Sequence, residues 1–173
     1  MNAQKFPIGK WQRPSDFDLV QTLKDVLTLS QLPKKLDDWI ESSEDTELKK
    51  VYREGGWTGA QVINHIADSH MNAFVRCKLT ATEEKPSILP YSEALWAELP
   101  DGNTTDVSAS LSLINGLHAR WVLFFQSLEP KNWERAYYHP ESKSEFKLYE
   151  VASLYAWHSN HHYNHLLLIH NPS

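Results

Sequence analysis

The stretch Lys147–His170, KLYEVASLYAWHSNHHYNHLLLIH, decides how this chain is read. It contains neither proline nor glycine. Val151, Tyr155, His158, His162, His165 and Ile169 recur in steps of four and three, which is one face of an α-helix roughly 36 Å long at 1.5 Å per residue. That face is apolar apart from its histidines, and a neutral imidazole inside a core must find polar partners. His158 and His162 are four residues apart, so their Cβ atoms lie about 5–6 Å apart. At this spacing one helix offers two imidazoles to a single divalent ion.

Three more segments show the same period. Thr58 followed by Gln61 is a capping-box signature. Behind it Val62, His65, Ile66, Ser69, Asn72, Ala73, Arg76, Leu79 and Thr80 share one face, which ends near Glu84, before Lys85-Pro86. Leu111, Ile114, His118, Trp121, Phe125 and Leu128 form the next stripe, from Asp106 or Ser108 to Pro130. Nearer the start, Ser15 or Asp16 is expected to cap a helix bearing Phe17, Val20, Leu23 and Leu27. Pro33 should break or kink it before Leu36, Trp39 and Ile40 continue to about Ser42. Residues 85–103 read as a long connection with a helical turn over Ser92–Leu99, and residues 130–146 as a loop or small hairpin. Four long amphipathic segments predict an all-α four-helix bundle. It is read as a single domain over residues 1–173, with residues 1–14 as an extended N-terminal arm.

The bulk numbers exclude several classes. A net charge of −5 without any Lys/Arg cluster argues against a nucleic-acid partner. The one cysteine, Cys77, permits no intrachain disulfide and reads as a buried structural residue. The longest apolar runs, Trp121–Phe125 and Leu166–Ile169, are too short for a bilayer, and Met1–Pro14 holds no apolar leader segment. A soluble cytoplasmic protein without a membrane partner is expected.

His65 lies on the core-facing stripe of its helix, so three inward histidines on two helices point to a metal site in the bundle. The plainer reading is surface or hydrogen-bonded core histidine. Asn72, Arg76 and His118 are tentative pocket residues. Arg76 suits a substrate carboxylate or a buried ion pair, and His118 suits a core histidine bonded to a backbone or side-chain group. Asp68 either orients His65 or contacts another helix. His70 and His161 fall off the stripes and read as surface. Trp57, Trp121, Tyr155 and Trp157 most simply fill the core.

Several stretches carry a resemblance: Tyr52-Arg53-Glu54-Gly55-Gly56-Trp57-Thr58, then Asn64-His65-Ile66-Ala67-Asp68-Ser69-His70-Met71-Asn72, and Leu154-Tyr155-Ala156-Trp157-His158 with His161-His162. With Lys5-Phe6-Pro7-Ile8-Gly9-Lys10, Ala97-Glu98-Leu99-Pro100 and Leu117-His118-Ala119-Arg120-Trp121, they resemble the DinB-like superfamily, and within it the YfiT branch, over nearly the whole chain. The resemblance implies a four-helix metal-binding fold with His65, His158 and His162 as ligands. It further implies a cytoplasmic homodimer acting on a small-molecule substrate as a metal-dependent hydrolase. His165 falls where many superfamily members carry glutamine, and so is expected to touch a ligand, not the ion. Other members are thiol S-transferases that use bacillithiol, mycothiol or glutathione.

Three protein ligands leave coordination positions open, as catalytic sites do. The divalent ion, zinc or nickel by its imidazole ligands, would either acidify a water or take a low-molecular-weight thiol as co-substrate. No glutamate lies on the metal-facing stripe near the histidines, unlike an H-E-x-x-H site. This leans toward thiol transfer. A non-catalytic alternative is a bundle stapled by its metal and serving as a stress-related binding protein.

Overall fold

The capping box closes as the sequence predicts. The Thr58 hydroxyl accepts from the Gln61 N–H at 3.2 Å, while Gln61 Oε1 accepts from the Thr58 N–H at 3.1 Å. From there α2 runs over Gly59–Thr82. The computed structural model describes residues 3–170; the first two residues of the arm and the last three of the chain lie outside the described residues. The other elements are α1 (Leu19–Ser42), α3 (Glu93–Trp96), α4 (Ser108–Gln126), β1 (Ala136–His139), β2 (Ser144–Lys147) and α5 (Leu148–His170). β1 and β2 form the small antiparallel hairpin, with Ala136 opposite Lys147, and β2 leads directly into α5. The Glu150 carboxylate accepts from the Lys147 N–H at 2.8 Å and so caps that junction.

α1 and α2 each pack against both α4 and α5, which sets them on opposite corners of a four-helix bundle. Two apolar clusters fill it. One contains Val26, Leu29, Phe74, Trp121, Phe125, Trp133 and Leu148; the other contains Leu32, Leu36, Trp39, Ile63, Ile66, Ile114 and Leu166. Their seam crosses α2 between Ala67 and Ala73 and α5 between Tyr155 and Leu166, and His70, His158, His162 and His165 fall within it. No described helix is long and apolar enough to cross a membrane.

α1 departs from its sequence reading in three ways. Its N-cap is Asp18, whose carboxylate accepts from the Gln21 N–H, not Ser15 or Asp16. Its buried row is Thr22, Val26, Leu29, Leu32, Leu36 and Trp39, whereas Val20, Leu23 and Leu27 face outward, with Val20 65% exposed. The helix carries two apolar rows, and periodicity alone does not say which one the bundle covers. Pro33 does not break it. The missing N–H leaves the Leu29 carbonyl without its helical partner, and the His118 ring supplies one at 2.7 Å. Buried Leu29, Leu32, Leu36 and Trp39 hold both halves down.

The arm, expected to be extended, is turned over its first described residues. Residues 3–8 form turns, with the Gly9 N–H bonded to the Phe6 carbonyl and Gly9 at φ +75°, where a side chain would be strained. The arm is then fastened along α5. Trp157 Nε1 donates to the Gly9 carbonyl and Trp11 Nε1 to Ser153, each at 3.2 Å, and Arg13 grips Glu150 at 2.8 and 2.7 Å.

The two rows of α1 separate in a stability measurement. Leu36→Ala should cost about 2–5 kcal/mol in urea unfolding. Leu27→Ala should stay within about 0.5 kcal/mol of the parent. Equal effects would mean the wrong row has been assigned to the core.

Candidate metal centre

His65 on α2 and His158 and His162 on α5 bring one ring nitrogen each to within 4.8 Å of one another. His65 Nε2 lies 3.3 Å from His158 Nε2. His65 and His162 are buried and His158 is half-buried. Burial pushes the His65 pKa down to about 4, and it pushes those of His158 and His162 well below the ordinary range, with the neighbouring histidines adding to the effect. All three rings are therefore neutral at neutral pH, the state in which imidazole binds a metal. Trp57 packs on two of them, at 4.6 Å from His65 and 6.3 Å from His162 between ring centroids.

The segment around α3 is tied to α2 beside His65. Asn64 donates to the carbonyls of Gly102 and Thr104, each at 3.1 Å, and accepts from Ser110 at 2.7 Å. Gln61 donates to the Ala97 carbonyl at 3.0 Å. Gly102 is needed in this fold, because a Cβ there would lie 2.3 Å from the Trp96 carbonyl oxygen.

Each of the two α5 histidines of this group leans on another imidazole. His158 Nδ1 lies 3.0 Å from His70 Nε2, and His70 Nδ1 lies 2.8 Å from His118 Nε2. His162 Nδ1 lies 3.3 Å from His165 Nδ1, and His165 stacks on Tyr52 at 3.9 Å. A second group, His161, His162 and His165, also gathers within 4.8 Å, but it shares His162 with the first.

Two surface readings are corrected. His70 is fully buried because α4 brings His118 and Trp121 onto it. His161 is 7% exposed, because Trp157 stacks on it and Phe6 of the arm lies at 5.9 Å. The stripe rule missed both: α2 is covered nearly all round over Gly59–Ala67, and α5 buries adjacent pairs such as His161/His162 and His165/Leu166.

His118 donates to a backbone carbonyl, as a core histidine would. Asn72 donates to the Asp68 carbonyl of its own helix at 2.9 Å, and Arg76 to the Leu89 carbonyl at 3.1 Å. Asp68 lies half-buried beside Asp101, and burial raises its pKa. Cys77 is fully buried, its thiol pushed up to about 12 by burial. One residue had no sequence signal. The Tyr91 hydroxyl is buried without a well-formed hydrogen bond, and its polar neighbours include Ser69 and Tyr155. Tyr155 packs at 5.4 Å on His158.

Comparison with known proteins agrees with this architecture. Residues 28–166 match the model of the DinB superfamily. YfiT of Bacillus subtilis (strain 168) is 42% identical over 161 residues, covering 93% of this chain and 90% of that protein. Its solved structure, described as a probable metal-dependent hydrolase with an unusual four-helix bundle topology, superposes with a TM-score of 0.95, covering 98% of this chain and 97% of that one at 39% identity. A mycothiol-dependent maleylpyruvate isomerase shares the fold at a TM-score of 0.61 and 18% identity, covering 88% of this chain and 60% of its own.

Burial of neutral imidazole makes stability depend on pH. His118, ordinarily near 6.5, is held down to about 4 by burial, so the unfolded chain binds its proton more readily. The stabilisation is complete above pH 6.5 and is lost as pH falls toward about 4, by up to about 1.4 kcal/mol per pH unit. Urea midpoints measured with chelator present should fall over this window, and His118→Gln should make the fall shallower. An unchanged slope in the variant would contradict the buried neutral state.

Proposed function

The chain belongs to the DinB superfamily, and from that premise we propose that it is a metal-dependent hydrolase whose divalent ion is held by His65, His158 and His162. The observation that carries this reading is the convergence of three neutral ring nitrogens, from two helices, on one spot in the bundle. Such a donor set suits zinc or nickel. When bound, the ion supplies a positive charge that acidifies a water or a thiol at an open position. Trp57 packs against the rings of His65 and His162 and limits their movement. His158 is the one member of the group with partial exposure, so we place the small-molecule substrate on its side. Tyr91 and Ser69 neighbour Tyr155, which packs on His158, and their hydroxyls could serve a polar substrate atom.

A second reading is transfer of a low-molecular-weight thiol. No aspartate or glutamate joins the three-histidine group among the described residues, which suits a thiolate needing little proton shuttling better than it suits hydrolysis assisted by a carboxylate. A homodimer in the cytoplasm belongs to either reading. The exposed row Leu19, Val20, Leu23 and Leu27 on α1 supports a second copy.

Elemental analysis of protein purified without a histidine tag should find one zinc or nickel ion per chain, lost in His65→Ala and His162→Ala. Chelation should leave the helical circular-dichroism signal intact and reduce ester hydrolysis, or conjugation of thiols to monochlorobimane, to background. Wholesale unfolding on chelation would instead support a structural staple, and metal-free protein would remove the reading altogether.

A further inference from the structure

The hydrogen bonds running away from His158 permit one assignment only. Leu29 lies four residues before Pro33 on α1, so its carbonyl is the one that proline deprives of a helical N–H. His118 Nδ1 sits 2.7 Å from that oxygen. A carbonyl only accepts, so this nitrogen carries the hydrogen. A neutral imidazole has one donor and one acceptor, which leaves His118 Nε2 bare. It lies 2.8 Å from His70 Nδ1, which must therefore donate. His70 is fully buried with an imidazole at each ring nitrogen, so as a neutral ring its Nε2 is bare and accepts from His158 Nδ1 at 3.0 Å. His158 Nε2 is left without a hydrogen, 3.3 Å from His65 Nε2.

We propose that the Leu29 carbonyl, freed by Pro33 and read through His118 and His70, fixes His158 in the tautomer that presents a bare Nε2 to the metal. His70 and His118 are then positioning residues of the site. A ring free to exchange tautomers would present an N–H to the ion part of the time. A ring whose Nδ1–H is engaged presents its lone pair always and is the more basic ligand. The metal half of the inference rests on the proposed role of His158 as ligand; the tautomer half does not.

Ring-nitrogen chemical shifts from long-range proton–nitrogen correlation spectra test it in metal-free protein. His158, His70 and His118 should each show a protonated Nδ1 and a bare Nε2. His118→Phe, which fills the space but removes the acceptor, should give mixed tautomers at His158 and weaken zinc binding about 10–100-fold in competition with a chromogenic chelator. His118→Gln can accept from His70 and donate to Leu29, and should keep both properties close to those of the parent. A protonated Nε2 on His158 in the parent protein would overturn the proposal. So would an unchanged tautomer and zinc affinity in His118→Phe. Should that variant fail to fold, the parent spectrum and His118→Gln decide. A parent protein that binds no zinc defeats the metal reading alone, while its spectrum still judges the chain.

Discussion

Everything in this bundle answers to one constraint: imidazole rings, each with two polar edges, are packed where water does not reach. Six of the described histidines are buried, and none of the six forms a salt bridge with a carboxylate. A buried polar edge left unpaired costs about 1–3 kcal/mol. Ionising the rings is no remedy, because burial penalises the charged form. Two outlets remain. The rings can pair with one another and with backbone oxygen, or several lone pairs can share a cation. The structure pairs His158, His70, His118 and the Leu29 carbonyl in one direction and His162 with His165 in another. Of the nitrogens not consumed in this way, one each from His65, His158 and His162 meet between α2 and α5, while His161 Nδ1 and His165 Nε2 are buried on α5 without a well-formed hydrogen bond.

This pairing joins site and fold. The chain from His158 passes from α5 to α2, then to α4, and ends on α1, so it touches every long helix of the bundle. Its end depends on a proline that would ordinarily count against a helix. A proline inside a helix costs about 3 kcal/mol, partly through the hydrogen bond it removes. Here a side chain from another helix supplies the missing partner. The same bond that lets α1 continue past Pro33 gives the imidazole chain a fixed terminus.

How much of this was legible in the sequence follows from the kind of signal each feature sends. The α2 start, the stripes of α4 and α5 and the hairpin are set by contacts a few residues apart, and a local rule finds them. His65, His158 and His162 could be singled out because apolar neighbours mark their faces as inward. His70 and His161 could not, because their burial depends on His118 and Trp121 arriving from α4 and on Phe6 arriving from the arm. The row of α1 that meets the core is hidden from a local rule for a related reason: Val20, Leu23 and Leu27 are as apolar as Val26, Leu29 and Leu32, and only the bundle chooses between them. Pro33 sends only its local signal, and the compensation comes from His118, 85 positions away in the chain.

The neutrality of the chain bears on the chemistry as well as on packing. A carboxylate behind a metal-ligating histidine orients it equally well, but sets negative charge near the ion. Here the support of His158 is uncharged all the way to a carbonyl, and His162 leans on a second neutral imidazole. No aspartate or glutamate joins the three-nitrogen group among the described residues. A divalent ion held in such surroundings would keep its charge nearly undiluted, in a region where burial lowers the effective dielectric. That favours the acidity of whatever occupies the open positions. It also makes the ion expensive to desolvate, with no anionic ligand to offset the cost. Under the proposed ligand set, affinity would then have to come from lone pairs already aimed at one point, and the orientation of His158 would matter more than it would beside a carboxylate.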